Sequence, residues 1–158
     1  MKLRAQLLAF VSALLPLFSL AARADSQAPL DLTTFPQSSV EITSGAKPQR
    51  FSVWIADTAE RQTQGLMFVR DLPAERGMLF LQSEPRPMAF WMKNTYIELD
   101  MLFIGPDHRI VKIAAHAPPL SLATINSDAP VIAVLELKGG EAERRGFRVH
   151  DRVSWPKT

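Results

Sequence analysis

From Val40 onward the chain alternates apolar and polar residues with the two-residue period of strands. Phe51, Val53 and Ile55 fall on one side and Ser52 and Trp54 on the other, and Gly45 and Pro48 separate this run from Val40–Thr43, so a strand pair is expected. At Asp57-Thr58-Ala59-Glu60-Arg61 the pattern changes to that of a short helix. Asp57 or Thr58 can cap its free amides, Glu60 suits its positive end, and Gly65 can close it.

Beyond Pro73, short runs rich in β-branched and aromatic residues recur: Gly77 to Gln82, Met88 to Met92, Met101 to Ile104, Arg109 to Ala115 and Val131 to Leu137. Turn signals such as Gly105-Pro106-Asp107 and Pro118-Pro119 divide them. Gly140 to Gly146 places acids first, bases last and glycine at the end of one or two helical turns, and a strand around Arg152 to Trp155 ends the pattern. Strands at this spacing predict a mainly β fold: a single-domain β-sandwich or barrel with one or two short helices.

Upstream, the periodicity stops. Residues 25–37, with Pro29 and Pro36 among Ser, Thr and Gln, read as a leader or linker ahead of one β-rich domain over 38–158. Residues 1–24 read as a secretory signal peptide: Lys2 and Arg4 precede the apolar run Leu7–Leu20, and Ala22-Arg23-Ala24 offers a cleavage site. That run contains Pro16 and is shorter than the roughly 20 residues of a membrane span. A periplasmic or secreted chain without a stable membrane anchor after cleavage is expected.

Charge supports the same division. The whole chain carries 18 basic and 16 acidic residues, but Lys2, Arg4 and Arg23 lie in the signal segment, which has no acid. The remainder is almost balanced, which gives no electrostatic case for nucleic acid. The absence of cysteine excludes disulfides, thiol nucleophiles, thiolate metal ligands and a lipidated cysteine.

Polar residues concentrate in one apolar region. Phe90-Trp91-Met92-Lys93-Asn94-Thr95 is followed by Ile97-Glu98-Leu99-Asp100 and the strand Met101–Ile104. An unpaired neutral polar group costs about 1–3 kcal/mol when buried, and a charge costs more, so this cluster must be paired, solvated or used. In an extended Phe90–Lys93 segment, Trp91 and Lys93 share a face, and Lys93 and Asp100 can meet across the intervening loop. They would form either a ligand-binding pair, with Asn94 and Thr95 adding hydrogen bonds, or a structural ion pair.

Glu136 is the second anomaly, a lone carboxylate in Val131–Leu137 on the face of Ile132 and Val134. Buried, it would need a partner or a raised pKa suited to proton transfer; exposed, it would be an edge charge. Five methionines between Met67 and Met101 raise the question of copper, but their spacing fits core packing better. His108, His116 and His150 are scattered, and neither a phosphate loop, a nucleophile elbow nor a dinucleotide fingerprint occurs, so no metal and no cofactor is expected.

In order, Gly65-Leu66-Met67, Gly77-Met78-Leu79-Phe80, Phe90 to Thr95 with Leu99-Asp100, Val134-Leu135-Glu136-Leu137, and Gly146 with Asp151 resemble the domain of unknown function 192 family over Ser39 to Trp155. The resemblance implies a compact, jelly-roll-like β domain, often exported in bacteria, with no established activity, cofactor or substrate. It places the family's polar signature on Lys93, Asn94, Thr95, Asp100, Glu136 and Asp151. Glu98 stands where the family usually has proline, and His150 where it usually has glycine.

Three functions follow as expectations. The leading one is an exported domain binding a small polar or anionic, carbohydrate-like ligand through Trp91, Lys93, Asn94, Thr95, Asp100, Glu136 and Asp151. The second is an enzyme using Lys93 or Glu136 in proton transfer. The third is an envelope structural or interaction module with an unspecified protein partner.

Overall fold

The protein is described by a computed structural model over residues 28–45 and 47–156, so the expected signal peptide lies outside the described residues. The first strand pair forms as the alternation predicts: β1 (Gln37–Ser44) runs antiparallel to β2 (Lys47–Ala56), with Val40 opposite Phe51. Helix α1 (Ala59–Gln64) follows, its N-terminus capped by Thr58 and its C-terminus by Gly65 at φ 51°. The chain then enters β3 (Arg76–Arg86) parallel to β2. A parallel pair cannot be joined by a tight turn, so α1 and the segment after it must cross over one face of the sheet.

Six further strands and one helix follow: β4 (Ala89–Phe90), β5 (Leu99–Ile104), β6 (Ile110–Ala117), β7 (Ile125–Asn126), β8 (Val131–Lys138) and, after helix α2 (Glu141–Arg145), β9 (Arg152–Ser154). Seven strands form one sheet in the order β6-β5-β8-β3-β2-β1-β9, and β4 and β7 make a separate two-stranded ribbon. The sheet curls until its edges touch. Arg109 and Arg152 form an antiparallel bridge, and Ile110 N–H donates to Asp151 O at 3.0 Å. The mainly β half-barrel with two short helices agrees with the architecture expected from strand spacing.

All seven strands send side chains to the concave face, where Ile42, Phe51, Ile55, Leu79, Leu102 and Leu135 form part of one core. A second core covers the convex face of β3, β8 and β5 and contains Met78, Phe80, Met101, Phe103 and Val134. Every residue of β5 is buried, because the strand is covered on both faces and reads as an uninterrupted apolar run apart from Asp100.

Two expectations are revised in detail. Met88–Met92 is a strand only at Ala89–Phe90, because the chain turns irregular at Trp91. Within the stretch read as leader, residues from Leu30 onward pack on the convex core: Leu30 and Leu32 are half-buried against it, and Phe35 is buried. The Gln64 amide holds the Leu30 backbone at both its N–H and its carbonyl. The tie explains why so polar a stretch lies against the sheet: its few apolar side chains are spaced to reach the second core.

Candidate functional site

The crossover between β2 and β3 carries α1 and Gly65-Leu66-Met67 over the convex face of the sheet, directly above Glu136. A Cβ at Gly65 would lie 3.1 Å from the Phe80 ring and 4.0 Å from Glu136 Oε2. Gly65 thus meets both a left-handed backbone and a close approach, each of which favours glycine. Below it, Glu136 pairs across the sheet with Met78 on β3 and Met101 on β5, both fully buried. Gly77 permits close packing of these strands: a Cβ there would stand 2.4 Å from Glu136 O.

Between α1, the β4 segment and the sheet lies a cavity of about 540 Å³, with Glu136, Gly65 and Phe80 in its wall. Further lining comes from Leu66, Met67, Met88, Phe90, Trp91 and Thr95. Phe80 and Phe90 meet edge to face, their centroids 5.0 Å apart. Glu136 is only 4% exposed. Burial pushes its carboxyl up to about 8, so it holds its proton at neutral pH.

Most of the other polar side chains of the lining are already committed. Gln62 donates to Ala56 O at 3.1 Å and Leu81 O at 2.8 Å, and accepts from Gln82. Gln64 is tied to Leu30, Thr63 Oγ1 donates to Ala59 O at 2.7 Å, and Thr95 Oγ1 donates to Lys93 O at 3.3 Å. Arg86, the lining's other charged residue, donates to Gln82 at 2.6 Å. Among the described residues, the Glu136 carboxyl has no hydrogen-bond or ionic partner. A buried polar group in that condition calls for a ligand, a solvent molecule or a chemical role.

The structure brings Trp91, Thr95 and Glu136 to this cavity and distributes the other candidates elsewhere. Lys93 is exposed, with Nζ 5.1 Å from the Trp91 ring centroid. Asn94 sits at φ 55°, where its carbonyl accepts from Phe68 N–H at 2.8 Å and anchors the loop beside Met67. Lys93 and Asp100 do not pair. Asp100 projects to the opposite face of the sheet from Glu136, because the adjacent position, Met101, is the one in register with Glu136. Fully buried there, it accepts from the backbone N–H groups of His116 (2.9 Å), Gly140 (3.1 Å) and Ala142 (2.8 Å). Asp151 likewise serves the backbone, accepting from Arg148 N–H at 2.8 Å in the turn before β9.

Sequence reasoning did not single out Met67, Phe80, Met88 or Phe90 as cavity residues, although the Gly65-Leu66-Met67 and Gly77–Phe80 motifs contain two of them. The available signal was Gly65 followed by three bulky apolar residues, Leu66, Met67 and Phe68. A second polar cluster joins His116 Nδ1 to Glu98 at 2.7 Å and Nε2 to Glu143 at 3.5 Å, and the two carboxylates raise the imidazole pKa. Among the described residues no group of three His, Cys, Asp or Glu side chains is placed to hold a metal ion.

The chain is thus a curled-sheet β protein with a pocket of mixed polar and apolar lining on the convex face and a buried acid in its wall. Residues 40–155 match the model of the DUF192 family, described as Uncharacterized ACR, and the chain belongs to that family. A solved protein of unknown function from Novosphingobium aromaticivorans DSM 12444 is 38% identical, with a TM-score of 0.77 over 85% of this chain and 96% of that one. A second, from Sinorhizobium meliloti 1021 and provisionally described as a transcription regulator, is also 38% identical, with a TM-score of 0.75 over 77% of this chain and 95% of its own. No curated protein matches the chain.

Proposed function

We propose that this protein binds a small polar ligand in the cavity beneath α1, and that Glu136 is the group that recognises it. The observation that carries this reading is a buried carboxyl without a partner in the wall of a cavity of about 540 Å³, a volume in the range of small-molecule sites. Met67, Phe80 and Trp91 supply contact area, and one polar group fixes orientation. Glu136 gives no support to an anion unless it stays protonated, and Lys93 lies outside the lining. The site reading therefore narrows to Trp91, Thr95 and Glu136, joined by the α1 and β4 residues around them.

The reading includes a location and takes in no nucleic-acid partner. Residues 1–24 support action in the periplasm or outside the cell, and no helix among the described residues is long and apolar enough to cross a membrane. The description of the Sinorhizobium relative is not carried over to this protein, whose basic and acidic residues nearly balance once residues 1–24 are set aside.

Ligand-observed NMR with a fragment library tests the binding site. Hits should compete with one another and disappear in Ala59→Phe, which places a ring at the cavity mouth from an exposed position of α1. Hits that bind Ala59→Phe unchanged would locate recognition elsewhere. A second reading, proton transfer by Glu136, draws on its pKa near neutrality. It requires turnover of a bound compound that Glu136→Gln abolishes without loss of folding.

A further inference from the structure

Resting on the cavity being a binding site, we infer that its ligand is a small organic cation, an alkylammonium head group whose charge meets the Glu136 carboxylate between the aromatic walls. The polar groups around the cavity decide against other chemistries. A polyhydroxylated ligand needs several convergent donors and acceptors, but Gln62, Thr63, Gln64 and Thr95 spend theirs on neighbouring protein groups. What remains is one unpartnered acid, Glu136, among apolar side chains and polar ones already tied to the protein. Such a wall suits a ligand with one charged or donating group on an apolar body.

The sign of that charge follows from what surrounds the acid. Phe80, Phe90 and Trp91 line the same cavity, and aromatic rings favour a cation over an anion wherever a ring face meets it. Thioethers at Met67 and Met88 add polarisable contact without competing for hydrogen bonds. The Trp91 ring already accepts an ammonium, that of Lys93, at 5.1 Å. The only other charged lining residue, Arg86, is exposed and holds Gln82 through Nε without pairing with Glu136, whose cross-strand neighbours are Met78 and Met101. No cation among the described residues satisfies the acid, so an arriving one does.

This arrangement couples binding to a proton. The unliganded carboxyl, raised by burial, keeps its proton at neutral pH, and a cation that needs the carboxylate must displace it. Binding at about pH 7 should release close to one proton per ligand, and the apparent affinity should rise up to about tenfold per pH unit until pH nears 8.

Three probes of one shape and different charge test the inference by titration calorimetry on the intact protein, in buffers of contrasting ionisation enthalpy. The probes are choline, its uncharged carbon isostere dimethylbutanol, and the anion dimethylbutyrate. Choline should bind tightest with proton release, and Glu136→Gln, nearly the same shape, should erase both its advantage and the release. Preferential binding of the alcohol or of the anion, either one with almost no proton exchange near pH 7 because the carboxyl already holds its proton, would overturn the cationic assignment and leave the binding site standing. Binding of none of the three would overturn the assignment, and the fragment screen would then decide whether the cavity is a site at all.

Discussion

At the residue scale, the protein contains two buried acids on neighbouring strands that solve opposite problems. Asp100 is satisfied by three backbone N–H groups, whereas Glu136 is satisfied by none of the described residues. Glu136 therefore opposes folding whenever it must ionise. Its carboxyl titrates near 8 in the folded chain against an ordinary 4.5, so between those values the folded state holds a proton that the unfolded state has released. Stability should fall as pH rises through that window, by at most about 1.4 kcal/mol per pH unit, and then level off. Glu136→Gln should remove this slope and leave the variant more stable than wild type at pH 8, as measured by urea unfolding across pH. Equal slopes in the two proteins would show that Glu136 ionises freely. The sequence made Glu136 visible as a lone acid in an apolar strand. It could not tell which face was covered, because both cores are built from residues distant in the chain.

Elements are where one polar cluster in the sequence separates into two structures. Phe90 to Asp100 looks continuous, but β5 begins at Leu99, and strand alternation sends Asp100 to the concave face while Met101 faces the cavity side. There Asp100 holds α2 over one end of the half-barrel, assisted by Ala142 and Phe147 in the concave core and by Arg145, whose guanidinium lies 4.5 Å from the Phe51 ring centroid. A five-residue helix is too short to persist alone, so its position depends on these ties. Asp100→Ala would leave the Ala142 amide and its companions buried without an acceptor and should cost at least about 2 kcal/mol. Chemical denaturation measures that loss, and hydrogen exchange at Gly140 and Ala142 should accelerate more than in β2. A loss shared evenly by all strands would show that Asp100 does not act locally through α2.

At the scale of the whole molecule, the fold ties the outer core to chain segments that alternation alone would leave outside it. Phe35 is 3% exposed and packs with Leu66, Leu72 and Phe80 in the convex core, beneath the Gln64–Leu30 hydrogen bonds. Phe35→Ala should cost about 3–5 kcal/mol and lower the melting temperature by about 10 °C or more, whereas an untied leader would tolerate the change. A melting temperature unmoved by Phe35→Ala would detach the segment from the fold. The sequence by itself determined the strand-rich class, the two short helices with their capping residues, the family and the presence of unusual acids, because period, turn chemistry and motif order are local properties of the chain. Only the tertiary structure decided that β2 and β3 run parallel, that α1 therefore crosses above Glu136, and that Asp100 and Glu136 face opposite ways. Those outcomes depend on which distant strands pair and on which face each side chain is buried, and neither is encoded within any one stretch of the chain.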